Sequence, residues 1–130
     1  MFTLEQLNEI HDRLGTIEDF SQYVRALQLL GVEKYDSYLA DGHSEFFSKE
    51  GYKVVSPSVH DMLQISDISD REKAQEHLDL HNQGKTSYLE MSKGLADSGI
   101  EKWTVDTSSM TFACYDKQGN ILLTEDVDSN

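Results

Sequence analysis

Five histidines and one cysteine hold most of the reactive chemistry in this chain. The densest spacing is HLDLH, which sets His77 and His81 one helical turn apart. Two imidazoles at i and i+4 can share a divalent metal. A metalloprotease pattern would need Glu directly after the first His, and Leu78 stands there; Glu72 or Glu76 could add an oxygen, but on no recognised pattern. His77 and His81 also share a stripe with Ala74 and Leu78, so a half-buried pair with hydrogen-bonded nitrogens is the plainer account. His43 between Asp41 and Glu45, and His60 beside Asp61, can each be drawn as acid/base pairs. Neither comes with a nucleophile motif or an oxyanion-hole signature. Cys114, in MTFACYD, reads as a small buried side chain, because a reactive thiolate wants a positive environment. No P-loop, dinucleotide fingerprint, zinc pattern or nucleophile elbow occurs. The expectation is no cofactor, no bound metal and no catalytic residue.

The chain carrying these residues is expected to form one domain spanning 1–130, long enough for a single core. Charge is the strongest compositional signal: 24 Asp and Glu against 11 Lys and Arg give a net −13, spread over both halves. Without a gathered basic patch, nucleic acid and anionic membrane surfaces are not expected as partners. Basic proteins fit such a surface, and a DNA-mimicking role is a further reading. The start MFTLEQLNEIHD has neither a positive leader nor an unbroken apolar run, and nothing later approaches a membrane span, so a cytoplasmic location is expected. The lone cysteine agrees.

Thr3 with Gln6 makes a capping box, and Leu4, Leu7, Ile10 and Leu14 then recur at helical spacing. Thr16 is placed to cap a second helix with the stripe Ile17, Phe20, Val24, Leu27 and Leu30, closed by Gly31. VEKYDSYLA, a two-residue turn at Asp41-Gly42, HSEFF, a turn at SKEG, and YKVVS up to Pro57 read as three strands. Leu63 and Ile65 suggest a brief edge strand. Ser69 with Glu72 predicts the start of a third helix ending before Gly84, and Thr86 predicts the cap of a fourth ending before Gly99. EKWTVDT, MTFACYD and ILLTEDV complete the strands, and the final DSN should fray.

GVEKY at Gly31 and GIEKW at Gly99 lie 68 positions apart, and the same shift lays Phe20 on Tyr88, Leu27 on Leu95 and FSKEG on YDKQG. Two blocks in the same register point to an internal duplication, with halves of roughly 1–56 and 69–127, each two helices followed by three strands. Two repeats are too few for a solenoid, so the halves should share one core. The expected architecture is α+β, a two-layer sandwich with four helices packed on one face of a mostly antiparallel sheet.

A two-residue turn would pair Ala40 with His43, Leu39 with Ser44, Tyr38 with Glu45, Ser37 with Phe46 and Asp36 with Phe47. Alternation then sends Tyr35, Ser37, Leu39, Ser44 and Phe46 to the core, with Trp103, Val105, Thr107, Phe112 and Cys114 in the second copy. The opposite face carries Asp36, Tyr38, Ala40, His43, Glu45 and Phe47, and in the second copy Thr104, Asp106, Ser108, Thr111, Ala113 and Tyr115. Aromatic rings among polar groups are the composition of contact surfaces. Asp36, Tyr38, His43, Glu45, Phe47 and Tyr115 are therefore the candidate partner-binding residues. A solvated sheet whose rings cover one another, or lie under the 57–68 connector, would look the same in sequence.

Six segments spanning nearly the whole chain, FTLEQ, GVEKYDSYLADGH with GYKVVSP, HNQGKTSYLEMS, SGIEKWTVD and YDKQGN, resemble the YdfO-like family of small bacterial and prophage-encoded proteins of unknown function, some labelled phage envelope protein. The resemblance implies a two-layer α/β sandwich and a prophage-linked bacterial origin, and it carries no activity or catalytic residues. The reading that results is a non-enzymatic interaction module, partnered by itself as a homodimer or by a host protein. The alternative is a small metal-dependent or acid/base hydrolase using His77 and His81, or His43 with its carboxylates.

Overall fold

The computed structural model describes residues 2–14, 20–58 and 61–127. The order is α1 (Leu4–Leu14), α2 (Phe20–Leu30), β1 (Val32–Tyr38), β2 (Ser44–Ser48), β3 (Lys53–Ser56), α3 (Arg71–Asn82), α4 (Tyr88–Asp97), β4 (Ile100–Asp106), β5 (Thr111–Asp116) and β6 (Ile121–Asp126). The fold is α+β: the six strands form one antiparallel sheet ordered β3-β2-β1-β4-β5-β6, and the helices lie against it. Among the described residues no helix is long and apolar enough to cross a membrane.

Local chemistry explains where the helices begin. Thr3 and Gln6 exchange the reciprocal bonds of a capping box: the Thr3 N–H donates to Gln6 Oε1 at 2.9 Å and the Gln6 N–H donates to Thr3 Oγ1 at 3.2 Å. The two later caps sit one residue beyond the expected positions. Asp70 caps α3 by accepting from the Lys73 N–H, while the Ser69 hydroxyl donates to Asp116. Ser87, in a capping box with Glu90, caps α4, because the Thr86 carbonyl and hydroxyl face the His81 ring. The Thr16 cap, Ile17 and the terminal DSN lie outside the described residues.

Leu63 and Ile65 form no strand. The Leu63 N–H donates to the Ala40 carbonyl at 2.6 Å, the Ser66 N–H to Ala96 and the Asp70 N–H to Ser98, while Ile65 is buried. The connector is thus held by isolated backbone bonds and one apolar anchor. Those bonds run to the first hairpin's loop and to the end of α4.

The first hairpin corrects the expected turn. Asp36 pairs with Glu45 and Ser37 with Ser44, so the loop is four residues, Leu39 to Gly42, closed by the Tyr38 N–H on the His43 carbonyl and the Gly42 N–H on the Tyr38 carbonyl. Leu39 explains the longer loop: it leaves the hairpin, bonds the Glu101 carbonyl, and is 1% exposed. The correction moves the register by two residues. An even shift leaves every side chain on its face.

The core therefore contains Tyr35, Phe46, Trp103, Val105 and Cys114 beneath Val24, Leu27, Met91 and Leu95. Burying a side chain such as Leu27 or Leu95 contributes about 1.5–3 kcal/mol.

The 68-residue shift holds in the pairing itself. Tyr35 with Phe46 maps onto Trp103 with Cys114, Asp36 with Glu45 onto Thr104 with Ala113, and Lys34 with Phe47 onto Lys102 with Tyr115. Each hairpin even carries its irregularity at the same place, between Val32 and Lys34 and between Ile100 and Lys102. At the seam Asp36 faces Thr104, its own counterpart 68 residues on, so a pseudo-two-fold axis passes between them.

Candidate functional site

The sheet's second face, away from the helices, gathers all six candidate residues. Cross-strand register arranges it in rows. One runs Val55, Glu45, Asp36, Thr104, Ala113, Thr124; the next runs Lys53, Phe47, Lys34, Asp106, Thr111, Asp126. A third begins at His43 and continues through Tyr38, Lys102, Tyr115 and Ile121. The strand period of two puts these residues outward, except that Ile121, two residues from the buried Leu123, is brought into its row by the register shift between Cys114 and Tyr115.

His43 is the most constrained group on the face. Its Nδ1 lies 2.6 Å from Asp41 Oδ1 and its Nε2 lies 3.1 Å from Glu45 Oε2, while its backbone N–H also donates to Asp41. The ring stacks on Tyr38 with centroids 4.5 Å apart and planes 3° from parallel. Partial burial pulls the imidazole pKa down, but hydrogen bonds to Asp41 and Glu45, and their charges, more than offset it and raise it above 6.5. Burial pushes the Asp41 carboxyl up, and the bonds and charge from His43 outweigh that and lower it. Ionised carboxylates only accept, so when the ring is protonated both of its nitrogens donate. In that state neither nitrogen keeps a lone pair for a substrate proton.

The aromatic rings are each matched with a cation or with the imidazole. Lys34 Nζ sits 5.0 Å from the Phe47 ring centre, and Lys102 Nζ sits 5.7 Å from that of Tyr38 and 5.4 Å from that of Tyr115. Lys102 also approaches Asp36 at 3.6 Å, and Asp36, only 5% exposed, accepts from the Thr104 hydroxyl at 2.6 Å. Lys53 pairs with Glu45 at 3.5 Å.

The two lysines that hold the rings, Lys34 and Lys102, are absent from the six candidates. Their signal was present in the repeated pentapeptide, because each immediately precedes a core ring, Tyr35 or Trp103, and so must point the other way.

The other candidates separate from this face. The His77 ring lies so close to Gly94 of α4 that an added Cβ there would clash with its Nδ1, Cε1 and Cγ. His81 Nδ1 lies 3.1 Å from the Thr86 carbonyl oxygen. The pair thus serves the α3–α4 contact. Among the described residues no three His, Cys, Asp or Glu side chains are gathered in a way that could hold a metal. His60 lies outside the described residues. Cys114 is fully enclosed, and burial first, with the Glu125 charge second, pushes its thiol up to about 12. Shallow troughs run along α1, lined by Glu5, Glu9 and Asp12, and along α3, lined by Glu72, Glu76 and Asp79.

Comparison with known proteins adds a family without an activity. The chain is 24% identical over 113 residues to the uncharacterised protein YcgX of Escherichia coli (strain K12), covering 87% of this chain and 84% of YcgX. Residues 8–126, which take in all six strands and the whole outward face, match the family DUF1398, described as proteins of unknown function, and the chain belongs to that family.

Proposed function

We propose that the chain is a non-enzymatic protein-interaction module that makes contact through the open face of its sheet. The observation that carries this reading is the set of rings Tyr38, Phe47 and Tyr115, lodged among cations and an imidazole on the face away from the helices. Rings restrained in this way lose little freedom on binding and offer both apolar area and a polar rim, which is how contact hot spots are built. Val55 and Ile121, at 46% and 56% exposed, extend the apolar surface to the two edge strands. The chemistry of His43 supports the same reading, since both nitrogens are already spent on carboxylates. The partner is a second copy or a host protein, and the setting is the cytoplasm of a bacterium carrying the gene in a prophage. The matched register of the hairpins supports an origin by duplication.

Photo-crosslinking tests the surface directly. A crosslinking side chain substituted at Phe47 or Tyr115 should give a discrete adduct that disappears when Tyr38→Ala is added, while one at Leu29, on α2 and 90% exposed, should give none. Equal labelling from the helix and the sheet, or an adduct indifferent to Tyr38, would remove the reading.

A further inference from the structure

The open face has a polarity that selects its occupant. In the row Lys53, Phe47, Lys34, Asp106, Thr111, Asp126 the charges are sorted by half: β3 and β1 supply two lysines, β4 and β6 supply two aspartates. The chain as a whole carries a net −13. Yet the strands' outward charges are close to balanced, with Lys34, Lys53 and Lys102 set against Asp36, Glu45, Asp106 and Asp126. A strongly basic partner would be drawn to the acidic helices and loops in preference to this face.

We propose that the occupant is a second copy of this chain, docked sheet to sheet about a two-fold axis running along the β1–β4 seam. The proposal rests on the open face being the contact surface. Rotation about that axis exchanges the two halves. Lys34 of one copy comes over Asp106 of the other and Lys53 over Asp126, each twice by symmetry.

The remaining rows agree with this placement. Tyr38 meets Lys102 of the other copy, repeating between molecules a ring–ammonium contact already made within one. Asp36 meets Thr104 and Glu45 meets Ala113, so no like charges are brought face to face in any of the three rows.

Size is adequate. Six strands at about 4.8 Å and roughly five residues at about 3.4 Å give a face of about 29 by 17 Å, which with side-chain relief is on the order of the 800 Å² per partner of a standard interface. Packed sheets cross at about 30°, which separates the outer Lys53–Asp126 meeting more than the inner Lys34–Asp106 one.

Charge exchange tests the axis as well as the association. Sedimentation equilibrium on the full chain should show a wild-type dimer. Lys34→Glu with Lys53→Glu should weaken it at least about tenfold, and Asp106→Lys with Asp126→Lys should do the same. An equimolar mixture of the two double variants should recover near wild-type affinity as a heterodimer, because each altered half then faces its complement. The single pairs locate the axis: Lys34→Glu should be rescued by Asp106→Lys in the other copy and not by Asp126→Lys, because only the first pair is brought face to face.

A monomeric wild type, variants that dimerise like wild type, or a mixture that stays monomeric would each overturn the proposal. A monomeric wild type whose Phe47 position still gives a Tyr38-dependent adduct with a different protein would overturn the second copy and leave the contact face standing. A dimer indifferent both to the charge variants and to Tyr38→Ala with Phe47→Ala would overturn both.

Discussion

At Asp36 the first hairpin encloses a carboxylate on the sheet's open face, satisfied by Thr104 and Lys102, and beside it stand Glu45 and the clamped His43. At the same register positions the second hairpin has Thr104, Ala113 and Thr111, none of them ionisable. The inner faces differ in the same sense. Ser37 and Ser44 share a hydroxyl bond of 2.8 Å in the first half, where Val105 and Phe112 stand in the second. Two hairpins with one backbone thus carry a polar and an apolar set of side chains. The lesson is that register here is set by backbone devices, the glycine at each helix exit and the matched irregularity in each first strand, which leaves side chains free to diverge.

The largest way to break the equivalence is at the two exit glycines. Gly31 and Gly99 both have positive φ, +111° and +87°. An added Cβ at Gly31 meets only Phe2 Cδ2 at 3.8 Å, whereas at Gly99 it would lie 2.7 Å from the Ile68 carbonyl oxygen and 2.8 Å from Ser69 Cα. Gly31→Ala therefore carries the left-handed penalty alone, about 1–2 kcal/mol. Gly99→Ala must also push back a connector whose backbone is bonded at Ala96 and Ser98, which brings the total to roughly 3 kcal/mol or more. Urea unfolding of the two variants checks the difference; equal losses would show that the connector yields freely and that the halves are more alike than their surroundings.

Much of this contrast was legible in the sequence, and the parts that were not have physical reasons. Alternation sorted Tyr35 from Tyr38 because a strand's period of two survives an error in loop length, provided the error is even. The loop length itself was misread: Asp41-Gly42 signals a tight turn, but Asp41 spends its carboxylate on His43, and Leu39 is drawn from the ladder into the core. The two displaced caps share one cause. Ser69-Asp70 and Thr86-Ser87 each offer adjacent oxygens of equal local merit, and the choice is made by partners outside the capping turn, Asp116 and His81. The candidate face was legible in its rings and carboxylates, whereas its lysines were hidden by an overall charge that drew attention to acid.

A smaller effect sharpens the comparison through pH. A group whose folded pKa stands above its unfolded value stabilises fully below the unfolded value and loses that contribution as pH climbs through the folded one. His43 is raised above 6.5, so its contribution is complete in mildly acidic solution and fades as pH rises past about 6.5 toward neutrality and beyond. Asp41 is lowered from 3.8, so its part persists above that value and is lost only on strong acidification. His43→Gln should cost about 1 kcal/mol at mildly acidic pH and progressively less above neutrality. The counterpart Thr111→Gln should show no such slope, since the second hairpin has no imidazole at that position. Thermal melts of both variants across that range would settle it; parallel slopes would mean that the clamp contributes nothing to folding.

The smallest predicted change lies in the core, where the polarity of the halves reverses. Val24 and Ser92 occupy equivalent positions on α2 and α4, and both are fully buried. Ser92 Oγ makes no hydrogen bond of ordinary geometry, although the Tyr88 hydroxyl one turn earlier approaches it. A sealed hydroxyl left without a partner is a cost to folding, and alanine is also the better helix former, so Ser92→Ala should leave stability unchanged or raise it by up to about 1 kcal/mol. A loss of similar size would show instead that the hydroxyl is engaged, by Tyr88 or by an enclosed water, and that the second half has kept a polar contact where the first half has the apolar Val24.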